Sequence, residues 1–61
     1  MKYLITKTVG QSNYWIQDYR GKPVWNGVKD NAKEFDREHL AHAYMLLNKI
    51  RDGETKLKNQ P

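Results

Sequence analysis

Sixty-one residues bound a single small domain with a minimal core, because a chain of this length buries only ~60% of its unfolded surface. Hydrophobic content of 38% and charged content of 30% fit a folded chain rather than a disordered one. The absence of cysteine excludes a disulfide framework and any thiolate zinc site, and it fits a reducing cytoplasm. The net charge of +4 favours acidic partners.

That charge is unevenly spread. Residues 1–29 carry five basic side chains against one acid, residues 30–53 four against five, and residues 54–61 two against one. The basic front half also holds both tryptophans and three of the four tyrosines. Residues 1–7, MKYLITK, have only a two-residue apolar run, so neither a signal peptide nor a membrane span nor a membrane partner is expected.

In chain order, residues 2–9 (KYLITKTV) are rich in β-branched and aromatic types and predict a strand. The cluster Gly10-Gln11-Ser12-Asn13 predicts a turn. Residues 14–19 (YWIQDY) predict a second strand. Arg20-Gly21-Lys22-Pro23 predicts the next turn, and Val24-Trp25-Asn26 a short third strand. Turns this short give an antiparallel meander.

The register of the first hairpin has two readings. A two-residue turn at Gln11-Ser12 sets Thr8 opposite Trp15, and a three-residue turn sets Val9 opposite Trp15. One residue of slip exchanges the two faces of the strand. The three-residue turn gathers Tyr3, Ile5, Val9, Trp15 and Tyr19 on one face, which is the better core.

Residues 36–52 predict a helix. Asp36 is a suitable N-cap and Phe35 can staple to Leu40. Leu40, Ala43, Tyr44, Leu47 and Ile50 make an apolar stripe at helical spacing. Lys49 and Arg51 sit where the helix dipole favours cations, and Gly53 is a natural stop. Residues 54–61, ETKLKNQP, show no period and predict a disordered tail. The expected fold is therefore α+β: a three-stranded antiparallel meander followed by one C-terminal helix packed on one sheet face. The domain would span residues 1–53 in two layers.

No motif carries catalysis. The acids form no pair placed for acid–base work, the hydroxyls lack a neighbouring base, and no phosphate-cradling glycine loop is present. His39 and His42 lie three apart on the predicted helix, but a metal needs further ligands, so they are read as surface histidines. No enzyme activity, cofactor or metal is expected.

The basic aromatic half is the stronger lead. Lys7, Arg20, Lys22 and Lys29 would meet phosphates, and Tyr14 or Trp25 would supply aromatic contact. Against this stands the reading in which both tryptophans are core and the lysines guard the sheet edges. The alternative to nucleic acid is a protein-interaction module. In it the free sheet face, an edge strand or the outward helix surface around His42 and Met45 would meet a protein, since an exposed methionine is an adaptable contact.

The stretch Tyr14-Trp15-Ile16-Gln17-Asp18-Tyr19-Arg20-Gly21-Lys22-Pro23-Val24-Trp25 resembles the central hairpin of small DNA-binding domains built from a three-stranded sheet and one helix. These are the arm-binding domains of phage-type tyrosine recombinases and the plant ethylene-response type. Ala32-Lys33-Glu34-Phe35 with Ala41 and Ala43 is similar to the end of the hybrid-binding domain of some ribonucleases H, and the whole looks like short phage-encoded proteins. The resemblance implies sheet-mediated binding of DNA ahead of RNA, and a phage or mobile-element origin. The chain departs from those DNA readers in having Arg20 as the sole arginine of its sheet half.

Overall fold

The computed structural model describes residues 1–59. It is an α+β domain with four antiparallel strands and one helix. The strands are β1 (Tyr3–Val9), β2 (Ser12–Tyr19), β3 (Lys22–Asn26) and β4 (Glu54–Leu57), and the helix is α1 (Glu38–Leu47). Strand order across the sheet is β3-β2-β1-β4. The three-stranded expectation is corrected by β4, and the helix precedes the last strand instead of closing the fold. The predicted tail therefore contributes a strand from Glu54 to Leu57, while Gln60 and Pro61 lie outside the described residues.

Both hairpins close through two residues. Val9 pairs with Ser12 across Gly10-Gln11, with Gly10 at φ 62°. Glycine at the first central position is what a type II′ hairpin turn asks for. Tyr19 pairs with Lys22 across Arg20-Gly21, at φ 53° and 79°. Two successive positive φ values belong to a type I′ turn, whose twist matches that of the flanking strands. The first turn sets Thr6 opposite Trp15 and Lys7 opposite Tyr14, so both predicted registers are corrected. Ile5, Ile16 and Trp25 then share the face under the helix, while Trp15 and Tyr19 occupy the other face.

Between β3 and α1 the chain makes a short 3-10 turn (Lys29–Asn31) against β2. It is then stitched to the sheet. The Lys33 N–H donates to the Ile16 carbonyl at 2.9 Å, and Tyr3 and Phe35 exchange two backbone hydrogen bonds at 2.8 and 2.9 Å. The pairing of β1 with β2 covers only Thr6–Val9 and Ser12–Trp15, so the Lys33–Phe35 segment takes up backbone groups where the strands part. Those bonds satisfy groups that would otherwise be buried without partners.

The core joins Ile5, Ile16, Phe35, Ala41 and Met45, with Tyr3, Trp25, Tyr44 and Ile50 packed against it. Phe35 meets Tyr44 edge to face, with centroids 5.3 Å apart. The buried helix face is thus Ala41 and Met45, flanked by Tyr44. The predicted stripe fails at Leu40 and Leu47, which are 44% and 83% exposed. Met45, expected outside, is buried.

The helix is shorter than predicted, and its ends differ. Arg37 occupies the N-cap with no side-chain cap bond, while Asp36 is ion-paired with Lys2. At the other end the Ile50 N–H donates to the Met45 carbonyl at 2.9 Å and the Lys49 N–H to the Leu46 carbonyl at 3.3 Å. With Lys49 at φ 57°, this is a Schellman ending with lysine in the left-handed position. Gly53 is not the stop. A Cβ there would lie 2.9 Å from Ile5 Cγ2 and from Met45 Sδ, so its missing side chain lets the chain pass close over the core.

A non-glycine residue in the left-handed region costs about 1 kcal/mol. Lys49→Gly is therefore expected to stabilise the fold by up to about 1 kcal/mol in urea titration, with the denaturant slope unchanged. A loss of stability would show that the Lys49 side chain contributes more than its backbone strain costs.

Candidate nucleic-acid interface

The alternation of side chains along each strand assigns the residues of the two faces. The helix side carries Ile5, Lys7, Tyr14, Ile16 and Trp25. The helix-free side carries Leu4, Thr6, Trp15, Gln17, Tyr19, Lys22, Val24, Asn26 and, from β4, Glu54 and Lys56.

Three of the six sequence-predicted binding residues thus fall on the helix side. Lys7 is used within the fold: its Nζ lies 4.4 Å above the Trp25 ring and 3.4 Å from Asp52 Oδ2. Trp25 packs on the core, and Tyr14 stands directly opposite Lys7. Of the other three, Lys22 pairs across the hairpin with Tyr19 and lies on the helix-free side. Arg20 sits in the turn with its guanidinium 5.4 Å from the Tyr19 ring centre. Half-buried Lys29 reaches a depression of about 70 Å³ that Leu4, Thr6, Trp15 and Lys56 also line.

The helix-free face is therefore aromatic and basic. Trp15 and Tyr19 are four residues apart on β2, roughly 13 Å along the strand. Tyr19 is 56% exposed, and Trp15 is half-buried beside the depression. Lys22 and Arg20 flank the Tyr19 end; Lys29 and Lys56 flank the Trp15 end. Amides run between them: Val28 N–H donates to Asn26 Oδ1, and Asn26 Nδ2 donates to Gln17 Oε1, each at 2.7 Å. This chain fixes the orientation of both amides, because a backbone N–H can only donate. Gln17 Oε1 is thereby engaged, and its amide group is oriented with the nitrogen as the remaining donor.

Tyr19 and Lys56, which the fold adds to this face, are not among the sequence-predicted binding residues. The usable signal was Gly10, whose position selects the two-residue II′ turn and hence the strand parity. Lys56 could not be placed without β4.

On the helix, His42 is exposed with Nε2 4.0 Å from Glu38 Oε2, and Met45 lies in the core. Among the described residues no three His, Cys, Asp or Glu side chains gather as a metal would need, and no helix is long and apolar enough to cross a membrane. The remaining perturbed groups are structural. Lys2 holds the Asp36 carboxyl below its ordinary range, and Lys58 does the same for Glu34. Burial, helped by Asp18, raises the Tyr44 hydroxyl, which has no hydrogen-bond partner among the described residues. Compared with known protein families, with curated proteins and with solved structures, the chain matches none.

Proposed function

We propose that this chain is a small non-catalytic nucleic-acid-binding domain that binds through the helix-free face of its sheet. The observation that carries the reading is the grouping of Trp15 and Tyr19 with Arg20, Lys22, Lys29 and Lys56 on and around one face. Cations at both ends of an aromatic strand suit a polyanion laid along it. The rings add sequence-tolerant stacking to the phosphate contacts. The preference for DNA over RNA rests on the resemblance of the hairpin to DNA-binding domains.

Four phosphate contacts give a log–log salt slope of roughly −3.6 on duplex DNA and −2.8 on a single strand. The test is anisotropy of a labelled mixed-sequence oligonucleotide across a salt series. Lys22→Glu with Lys56→Glu should weaken binding and flatten the slope by about two contacts, roughly 1.4–1.8 units. Tyr19→Ala should cost about 1–3 kcal/mol of binding. Lys7→Gln, on the opposite face, should leave binding unchanged. A flat salt response in the unmodified chain would reject nucleic-acid binding. Loss confined to the Lys7 variant would place the interface on the helix side instead.

A protein-interaction module is the second reading. The observation favouring it is the exposure of Leu46 and Leu47, at 81% and 83%, on a helix whose Met45 turns inward.

A further inference from the structure

We propose that the outer face of α1 docks an acidic amphipathic helix of a partner protein. This surface lies on the opposite side of the sheet from the nucleic-acid face, and the proposal does not depend on that reading.

The apolar side chains come first. Leu40, Ala43 and Leu47 recur at i, i+3, i+7, the spacing of a helix-packing seam, and all three are exposed. Leu46 stands beside Leu47 and is as fully exposed. In so small a chain this is a contiguous apolar surface on a rigid element, which marks an interaction site more clearly than scattered single residues do. Ala43 at the centre of the seam lets a second helix approach closely, within the 8–10 Å range of helix axes. At the N-terminal end a shallow hollow beside Leu40, bordered by Met1, Lys2, Asp36 and Arg37, offers room for a side chain.

Charge selects the partner. The acids near this helix are already engaged: Asp36 with Lys2, Asp52 with Lys7, and Glu38 with the Thr55 hydroxyl at 2.7 Å. The cations at its two ends are not ion-paired, although the Arg37 charge helps hold the Asp36 carboxyl low. Arg37 before Leu40, and Lys49 and Arg51 beyond Leu47, have no ion-pair partner among the described residues. The surface is thus an apolar seam with one cation at one end and two at the other. A second copy of this chain would set Arg37 against Lys49 and Arg51 in antiparallel packing, or like against like in parallel packing. An acidic helix meets the cations with carboxylates and the seam with its own apolar stripe. A bilayer would match the charge but has no use for seam spacing or for the hollow.

The probe is a synthetic helical peptide with leucine at a and d and glutamate at e and g, compared with its counterpart carrying lysine at e and g. Titration is followed by anisotropy of a label on each peptide. The acidic peptide is expected to bind at least tenfold more tightly than the basic one. The charge-neutral double variant Leu46→Ser, Leu47→Ser should lose at least tenfold of that affinity with its circular dichroism unchanged. The Lys22→Glu, Lys56→Glu variant should retain it, which separates helix docking from attraction to the sheet face. Equal binding of both peptides, or binding indifferent to the leucines, overturns the proposal. Leucine-dependent binding to phosphatidylcholine–phosphatidylglycerol vesicles in place of the peptide would assign the face to lipid. A leucine-dependent doubling of mass in the chain alone would assign it to self-association.

Discussion

Removing residues 54–61 is expected to unfold the chain. β4 covers the outer edge of β1 through four residue pairs, from Tyr3 with Leu57 to Thr6 with Glu54. The Lys58 N–H adds a bond to the Lys2 carbonyl at 2.8 Å, and the Thr55 hydroxyl ties the strand to Glu38 on the helix. Leu4 and Ile5, beneath this cover, are 1% and 0% exposed. Opening two such side chains to water costs about 1.5–3 kcal/mol each. A chain of this length has roughly 3–9 kcal/mol of stability in total. Far-ultraviolet circular dichroism and one-dimensional proton NMR of residues 1–53 should therefore show an unfolded chain, where the full chain gives dispersed resonances. A dispersed spectrum from residues 1–53 would mean that the first three strands and the helix suffice, and that β4 is an accessory.

The tail was illegible for a physical reason. In ETKLKNQP the strand face alternates as Thr55 and Leu57 against Glu54, Lys56 and Lys58. One leucine and one threonine are too little apolar content to distinguish a four-residue strand from coil. What makes it a strand is the exposed edge of β1, a partner about fifty residues away in sequence. β-branched and aromatic content marked β1, β2 and β3 to within two residues at each end, because those strands follow from local composition and adjacent turns. Facing was another matter. The three-residue turn would put Trp15 and Tyr19 in the core beside Ile5, but the Gly10 turn places Ile16 there instead, with Trp25 packed against it. The facing decides which aromatics lie together: Tyr14 and Trp25 fall on the helix side, while Trp15 and Tyr19 share the helix-free side with Lys22.

The helix shows the same competition between two patterns in one segment, and it can be tested directly. Residues 38–50 carry Leu40-Ala43-Leu47 and also Ala41-Tyr44-Met45, each at helical spacing. The first is the more hydrophobic, yet the second packs. Phe35, held by its backbone pairing with Tyr3, meets Tyr44 edge to face. Gly53 leaves room for Met45 beside Ile5, and the Schellman ending turns Ile50 back onto the core. Tertiary context thus overrides the stronger stripe and leaves the leucines outside. Met45→Glu should abolish folding, because it loses a buried apolar side chain, worth about 2–5 kcal/mol, and places a carboxylate in the apolar cluster of Ile5, Ile16, Phe35 and Ala41. Leu47→Glu, two residues on, should cost no more than about 1 kcal/mol, mostly from an acid near the helix C-terminus. Thermal denaturation separates the two: a lost transition for Met45→Glu, and a midpoint lowered by at most about 8 °C for Leu47→Glu. The reverse outcome would mean that α1 is rotated, with the leucine stripe buried on the sheet and no apolar face left for a partner.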